Sequence, residues 1–369
     1  MRRDKLVEVL AASVIWRLAT DLATPILLVP ARVWRCYRGG LLLERLLGCA
    51  APVDGRCPEA WLGSTTPARN GPHQQSPDEG ISRVRLPDGR PGPLLTEVLP
   101  EQSSPGVLCK LLDSAVRLPI QCHPDRAFAR AHLNSEHGKT ELWIVLGTRP
   151  MMGTEPRVYL GFRPDADRES FARAVQDQDI DSMLGMLHSH RVEEGQAWLV
   201  PGRMPHAIGP GLMLLEVQEP TDWVVQPERN IGEFELSDTE MWGPLTPEIG
   251  LDCFDFEGRA PVEPVVERVR LAWERAIDLP GGSVDRLVGT WNDKCFLVKR
   301  FVVRDALDLP PSPRWRIGLV VAGRGTLQVG KGYWPLRPAD SMLLTDRVPS
   351  AVLQATGPDP LDVFLAAAG

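Results

Sequence analysis

Gln121-Cys122-His123 sets an amide and an imidazole two residues apart, and Gly138-Lys139-Thr140-Glu141-Leu142-Trp143 adds a carboxylate a short way downstream. Successive side chains of an extended strand point to opposite faces, so Gln121 and His123 share one face, as do Lys139, Glu141, Trp143 and Val145. A second imidazole, His206, follows the Pro/Gly corner Val200-Pro201-Gly202-Arg203-Met204-Pro205. An amide oxygen, two imidazoles and a carboxylate are ligands that a divalent metal of the zinc type accepts. We expect Gln121, His123, Glu141 and His206 to hold one such ion per chain. A histidine beside a proline turn is more often packed or solvated than a ligand; the order of the four together is the specific signal.

The remaining histidines read as structural. His132 and His137 lie in a polar stretch between the two metal strands, and His73 lies in a polar loop. His188 and His190 alternate on one strand that runs only into Glu193-Glu194-Gly195. Cys122 alternates away from its two neighbours and is not a ligand candidate.

The elements that must position these groups are short strands. The chain has 369 residues, 35 of them proline and 33 glycine, which argues for many turns and against long helices. Its 43% apolar and 24% charged residues describe an ordinary globular protein, long enough for two cores. A net charge of −7 without a Lys/Arg run gives no support for nucleic-acid binding. Seven cysteines without a C-x-x-C pair suit a reducing compartment, so we expect a soluble cytoplasmic protein. No apolar run reaches membrane-spanning length, and Leu6, Leu10, Val14, Leu18 and Leu22 recur at helical spacing. Residues 1–24 therefore read as an amphipathic N-terminal helix. Asp167 to Leu187 reads as a helical insertion, and Val265 to Ile277 as a helix in the linker 232–283. Alternating short strands return in 284–369.

The sequence resembles the type I mannose-6-phosphate isomerases, metal-dependent enzymes of the cupin superfamily, in their shorter bacterial form. The matching text is Ile120-Gln121-Cys122-His123-Pro124-Asp125, Gly138 to Trp143, Val200-Pro201, His206-Ala207-Ile208-Gly209 and Leu215-Glu216-Val217-Gln218. The resemblance covers roughly residues 30–260 well. It implies a mainly β fold of two cupin (jelly-roll) barrels: residues 25–231 forming the metal-binding one, and 284–369 a degenerate one that has no histidine to offer. It implies a zinc-dependent aldose–ketose isomerase acting on a small sugar phosphate, with the Glu216 carboxylate in the position of the proton-transfer base. Burial beside Leu212 and Leu214 would raise its pKa.

Three positions depart from the family pattern. Pro119 stands where a serine is expected, Arg203 where a glycine is, and Gln226 where an arginine thought to act in catalysis is. Arg229 is the candidate replacement for that arginine in catalysis, beside Lys139. Arg117, Arg203 and Gln226 are substrate-binding candidates, with Arg117, Lys139 and Arg203 offering charge for the phosphate. The alternatives are an isomerase of another sugar and a metal-binding cupin that binds or senses sugars without turnover.

Overall fold

The structure, a computed structural model, describes residues 21–151, 153–288 and 295–369. The expected N-terminal helix falls almost wholly on residues 1–20, outside the described residues. No helix among the described residues is long and apolar enough to cross a membrane.

The fold is mainly β, as expected, and every strand pairing between neighbours is antiparallel. A 15-stranded sheet runs through the whole molecule. Its first part is, in spatial order, Ala31–Val33, Glu59–Leu62, Leu108–Ser114, Leu212–Gln218, Glu141–Thr148 and Ala197–Val200. It continues through Arg270–Leu279, Gly282–Val288, Phe296–Val303, Leu361–Ala368, Arg316–Ala322 and Ser341–Leu344. It ends, unexpectedly for the chain order, on the early strands Ile26–Val29, Arg83–Arg85 and Pro91–Leu94.

Two smaller sheets cover one face of each part. His206–Ile208, Arg157–Phe162 and Leu187–Arg191 form the first. Between it and the large sheet lie Leu112, Trp143, Val158, Leu160, Trp198 and Leu214. Ala306–Leu309, Ala351–Ala355, Gly325–Val329 and Gly332–Leu336 form the second, over a core that includes Phe301, Val320, Leu327 and Leu353.

The strands that carry the candidate residues are apolar on both faces because both faces are buried. Leu112, Trp143 and Leu214 point into the first core, while their neighbours Leu111, Ile144 and Leu215 point out of its back. There they meet Phe296, Ile317, Leu343 and Phe364 from the second part in one shared core. The two halves are thus packed back to back.

The expected helical insertion is present as two short helices, Arg168–Asp177 and Ile180–Gly185, begun by the caps Asp167 and Asp179. Gln178, in the left-handed region at φ 53°, separates them. Phe171, Val175 and Met183 are buried beneath, against Phe162, Phe254 and Phe256. The linker differs from expectation. Its helix is Val262–Val269, and from Arg270 to Leu279 the chain is a strand that pairs with Gly282–Val288 across a Pro280-Gly281 turn. Leu271 is buried and Trp273 packs against the shared core while their neighbours face solvent, a period of two that a helical reading of the same residues misses.

The shared core makes a direct prediction. Leu111 has no exposed surface, so Leu111→Ala should cost about 2–5 kcal/mol. Urea unfolding should show this as one shifted transition reported alike by signals from either half.

Candidate metal centre and its cavity

The segment that carries Gln121 and His123 is extended but is not a regular strand. Pro119 and Pro124 remove backbone donors, and the chain is held instead by isolated bridges, Gln121 to His206 and Cys122 to Val225. Those bridges set His123 beside His206 and turn the buried Cys122 thiol toward the Cys253 carbonyl, 3.3 Å away. Just beyond His123, Gly138 and Gly202 press on the backbone of Pro124 and Asp125, where a Cβ would come within 2.7 Å. Arg203 N–H donates to the His123 carbonyl at 2.6 Å. Arg203 does so from φ 69°, a left-handed conformation that explains why a glycine suits this position.

His123, Glu141 and His206 converge, with one ligand atom from each inside a 4.8 Å span. His123 Nε2 lies 3.0 Å from Glu141 Oε1, and His206 Nε2 lies 3.9 Å from Glu141 Oε2. His206 Nδ1 lies 2.8 Å from the Met204 carbonyl, which makes it the protonated nitrogen. The Nε2 lone pair then faces the centre, buried and without a hydrogen-bond partner. Burial keeps both imidazoles neutral, and the nearby Lys139 ammonium reinforces this; for His123 the pKa falls to about 3. Burial alone would raise the Glu141 carboxyl, but the Lys139 charge holds it well below the usual range. Trp143 Nε1 donates to Glu141 Oε2 at 3.0 Å, fixing the carboxylate plane. Two neutral imidazoles and an ionised carboxylate, one of them with an orphaned lone pair, are a donor set ready for a divalent cation.

Of the three, Glu141 lines a cavity of about 720 Å³, together with Gln121, Lys139, Glu216 and Gln226. Lys139 Nζ is 3.1 Å from both His123 Nε2 and Glu141 Oε1. Glu216 is on Leu212–Gln218, paired with Trp143 on one side and Lys110 on the other. Burial, then the charge of Glu141, pushes its carboxyl up to about 7. Its Oε1 lies 3.2 Å from the Lys110 ammonium, without the angle of a hydrogen bond.

The structure does not bring the other expected cations here. Arg117 is bidentate on Glu228, at 2.6 and 2.7 Å. Arg229 faces Asp238 at 2.6 Å and the Leu236 carbonyl at 3.0 Å. Arg203 reaches the Asp252 carbonyl at 3.1 Å. None of the three lines the cavity. Each has an anionic or carbonyl partner closer than open solvent, which holds it to the scaffold.

Sequence reasoning missed a second polar layer behind Glu216. Arg35 Nε is 2.8 Å from Glu59 Oε1 and its NH2 3.4 Å from Asp222 Oδ1. Tyr37 Oη and Trp61 Nε1 donate to the same Glu59 carboxylate. Lys110 lies between Glu216 and Asp222, 4.7 Å above the Trp61 ring. A signal existed: Lys110 interrupts the apolar run Leu108–Ser114, and Glu59 opens the fully buried strand Glu59–Leu62.

Fold and centre together define a β protein with a buried His–Glu–His site of metal-binding type. No family model matches the chain. In sequence it is similar to the mannose-6-phosphate isomerase of Streptococcus mutans, 26% identical over 249 residues, 66% of this chain and 69% of that protein. A probable mannose-6-phosphate isomerase of Bacillus subtilis is 27% identical over 211 residues, 54% of this chain and 59% of its own length. Among solved structures, the mannose 6-phosphate isomerase from Bacillus subtilis matches with a TM-score of 0.70 and 18% identity, over 93% of this chain and 99% of that one. A phosphomannose isomerase variant from Salmonella typhimurium matches at 0.66 and 15%, over 94% and 100%. In sequence and in fold the chain is therefore similar to mannose-6-phosphate isomerases.

Two predictions follow from the geometry. Protein purified in the presence of a divalent metal should carry about one equivalent by elemental analysis, and His123→Ala or His206→Ala should lose it. The Glu59 carboxyl is raised by burial yet held far below the ordinary value by Arg35 and Lys110, so folding depends on its being ionised. A carboxyl depressed in the folded state stabilises fully above its unfolded pKa of about 4.3 and progressively less as pH falls below that. Urea midpoints measured from pH 7 to 3 should fall below about pH 4.5, and less steeply in Glu59→Gln. At pH 7 that variant, which leaves the buried Arg35 only the longer ion pair with Asp222, should be less stable by about 3–5 kcal/mol.

Proposed function

We propose that this chain is a zinc-dependent isomerase that interconverts mannose 6-phosphate and fructose 6-phosphate in the cytoplasm. One juxtaposition carries the reading: a buried Glu216 carboxyl with its pKa near neutrality opens on the same cavity as Glu141, the carboxylate of the His123–Glu141–His206 centre. The sequence relatives supply the substrate class. Cys36, Cys49, Cys57, Cys109, Cys122 and Cys253 are free thiols, which suits a reducing compartment.

Zinc suits a site of two imidazoles and one carboxylate, with the Gln121 amide, on the same cavity wall, as fourth ligand. When bound, the ion would supply positive charge that polarises the substrate's carbonyl and hydroxyl oxygens. On this reading residues 25–231 make a metal-binding cupin barrel, 232–269 a linker and 270–369, whose first strand Arg270–Leu279 already belongs to the large sheet, a degenerate barrel. The first unit lends Ile26–Val29 and Arg83–Leu94 to the sheet of the second.

The chain's own groups account for the proton movements. The reaction carries a proton from C2 of the open-chain aldose to C1, with no net change in oxidation state. Glu216, ionised, takes the C2 proton; the C–H electrons form the C1–C2 double bond and the carbonyl electrons move to O1, which gains a proton. Water takes the O2 proton in exchange for the one given to O1, the O2–H electrons form the C2 carbonyl, and the C1–C2 electron pair takes the proton from Glu216 at C1. A carboxyl near neutral pH serves both directions, because it accepts and releases the proton with little penalty. Lys110 holds Glu216 in place and stabilises its charged form, while Lys139 offers an ammonium to the developing oxygen charge.

Gln226 and Pro119, where the family carries arginine and serine, favour a second reading: the same chemistry on a different aldose phosphate. A coupled assay over a panel of aldose phosphates decides between them. Glu216→Gln should lower turnover on the order of 10²- to 10⁴-fold while metal content stays at the parental level. Unchanged turnover in that variant would remove Glu216 from the reaction.

A further inference from the structure

The cavity extends well beyond the candidate metal centre, and its outer part is lined by Trp34, Arg69, His73 and Trp223. Four cations border the whole cavity: Arg35, Arg69, Lys110 and Lys139. Three already face carboxylates: Arg35 faces Glu59 and Asp222, Lys110 faces Glu216 and Asp222, and Lys139 faces Glu141. Among the described residues Arg69 makes no ion pair. It is exposed, and its guanidinium sits over the Trp223 ring, with Cζ 3.9 Å from the ring centroid.

The backbone around Arg69 is fixed. Its N–H donates to Asp222 Oδ2 at 2.9 Å, Thr66 Oγ1 donates to the Pro220 carbonyl at 3.3 Å, and the Asn70 amide oxygen accepts from Arg35 at 2.7 Å. The loop bearing Arg69 is thereby clamped against the loop that carries both Trp223 and Gln226. A guanidinium stacked on an indole keeps its N–H edge free in a fixed plane, the arrangement that grips a phosphate through two parallel hydrogen bonds. Stacking also lowers the entropy cost of ordering the side chain on binding.

We infer that Arg69, held on Trp223, is the cation that takes the phosphate of the substrate, a monosaccharide phosphate on the reading given above. The positive charge absent at Gln226 returns to the same loop from across the cavity mouth. The sugar end then points inward toward Glu216 and the candidate metal centre. Arg69 acts on affinity and on discrimination between phosphorylated and free sugars; the proton transfer itself belongs to groups deeper in the cavity.

The test uses the metal-loaded, full-length protein and inorganic phosphate as probe, titrated calorimetrically. Arg69→Ala and Arg69→Gln should weaken phosphate binding by about tenfold or more, the scale of a lost charge-assisted bidentate contact. Arg69→Lys, which keeps the charge and loses the fork, should weaken it less. Arg90→Ala, altered on an exposed turn outside the cavity, should match the parent. Thermal midpoints of the Arg69 variants should equal the parental one, because the side chain is exposed. Phosphate that binds Arg69→Ala as well as the parent, or a parent that binds no phosphate, overturns the assignment. Turnover of mannose 6-phosphate is followed separately, and Arg69→Ala should raise KM more than it lowers kcat. A parent that binds phosphate through Arg69 yet isomerises no aldose phosphate sinks the isomerase reading and leaves the anion site standing.

Discussion

The structure depends on one electrostatic constraint: a set of charges with almost no contact with water must balance within itself. Glu59, Glu141, Glu216 and Asp222 give four carboxylates, and Arg35, Lys110 and Lys139 give three cations, so full ionisation leaves a net charge of 4 − 3 = one negative. Burying an uncompensated charge costs several kcal/mol, and the system must relieve it. It can keep a proton on one carboxyl or admit a positive ion. Glu216 is where the proton goes, because burial and the neighbouring Glu141 charge outweigh Lys110 there. Glu141, between Lys139 and two imidazoles, is where an ion would go. A proton-transfer group and a metal-binding group thus arise as two answers to the same surplus.

Strand pairing makes that balance geometrically rigid. Glu216 has Lys110 and Trp143 as its direct cross-strand neighbours, so the cation and the indole that position the two glutamates come from adjoining strands. Because the backs of these strands are locked into the shared core, a shift of one residue in register would turn Glu216 and Lys110 out of the cavity and drive Leu215 and Leu111 into it. The hydrophobic pattern behind the site is what holds the charges in front of it.

Much of this was legible in the chain, and the limits have physical reasons. The spacing of Gln121 and His123, and the single-face set of Lys139, Glu141 and Trp143, depends only on local geometry, and local geometry survives folding. The cations could not be placed in that way. Arg117, Arg203 and Arg229 are near the site in sequence, yet each finds a partner on its own side of the scaffold: Glu228, the Asp252 carbonyl and Asp238. Arg69 and Arg35 are far from the site in sequence and close in space, brought in by the packing of the 59–70 region on the 219–223 loop. The stretch from Leu271 to Ile277 fits both a helical and an alternating pattern, and pairing with Gly282–Val288 chose the strand. A long flexible side chain or an ambiguous period carries no information about its partner until the partner is folded.

The place of Ile26–Val29 has a consequence for how the molecule comes into being. This strand lies between Arg83–Arg85 and Ser341–Leu344, the latter far downstream in the chain. On the ribosome it waits with the backbone groups of one edge unsatisfied and the apolar side chains of Ile26 and Leu28 uncovered until that downstream strand arrives. The closing contact spans a long stretch of chain, the kind of loop closure that slows folding most. A nascent chain stalled before residue 341 should therefore be a client for chaperones rather than a partly working protein.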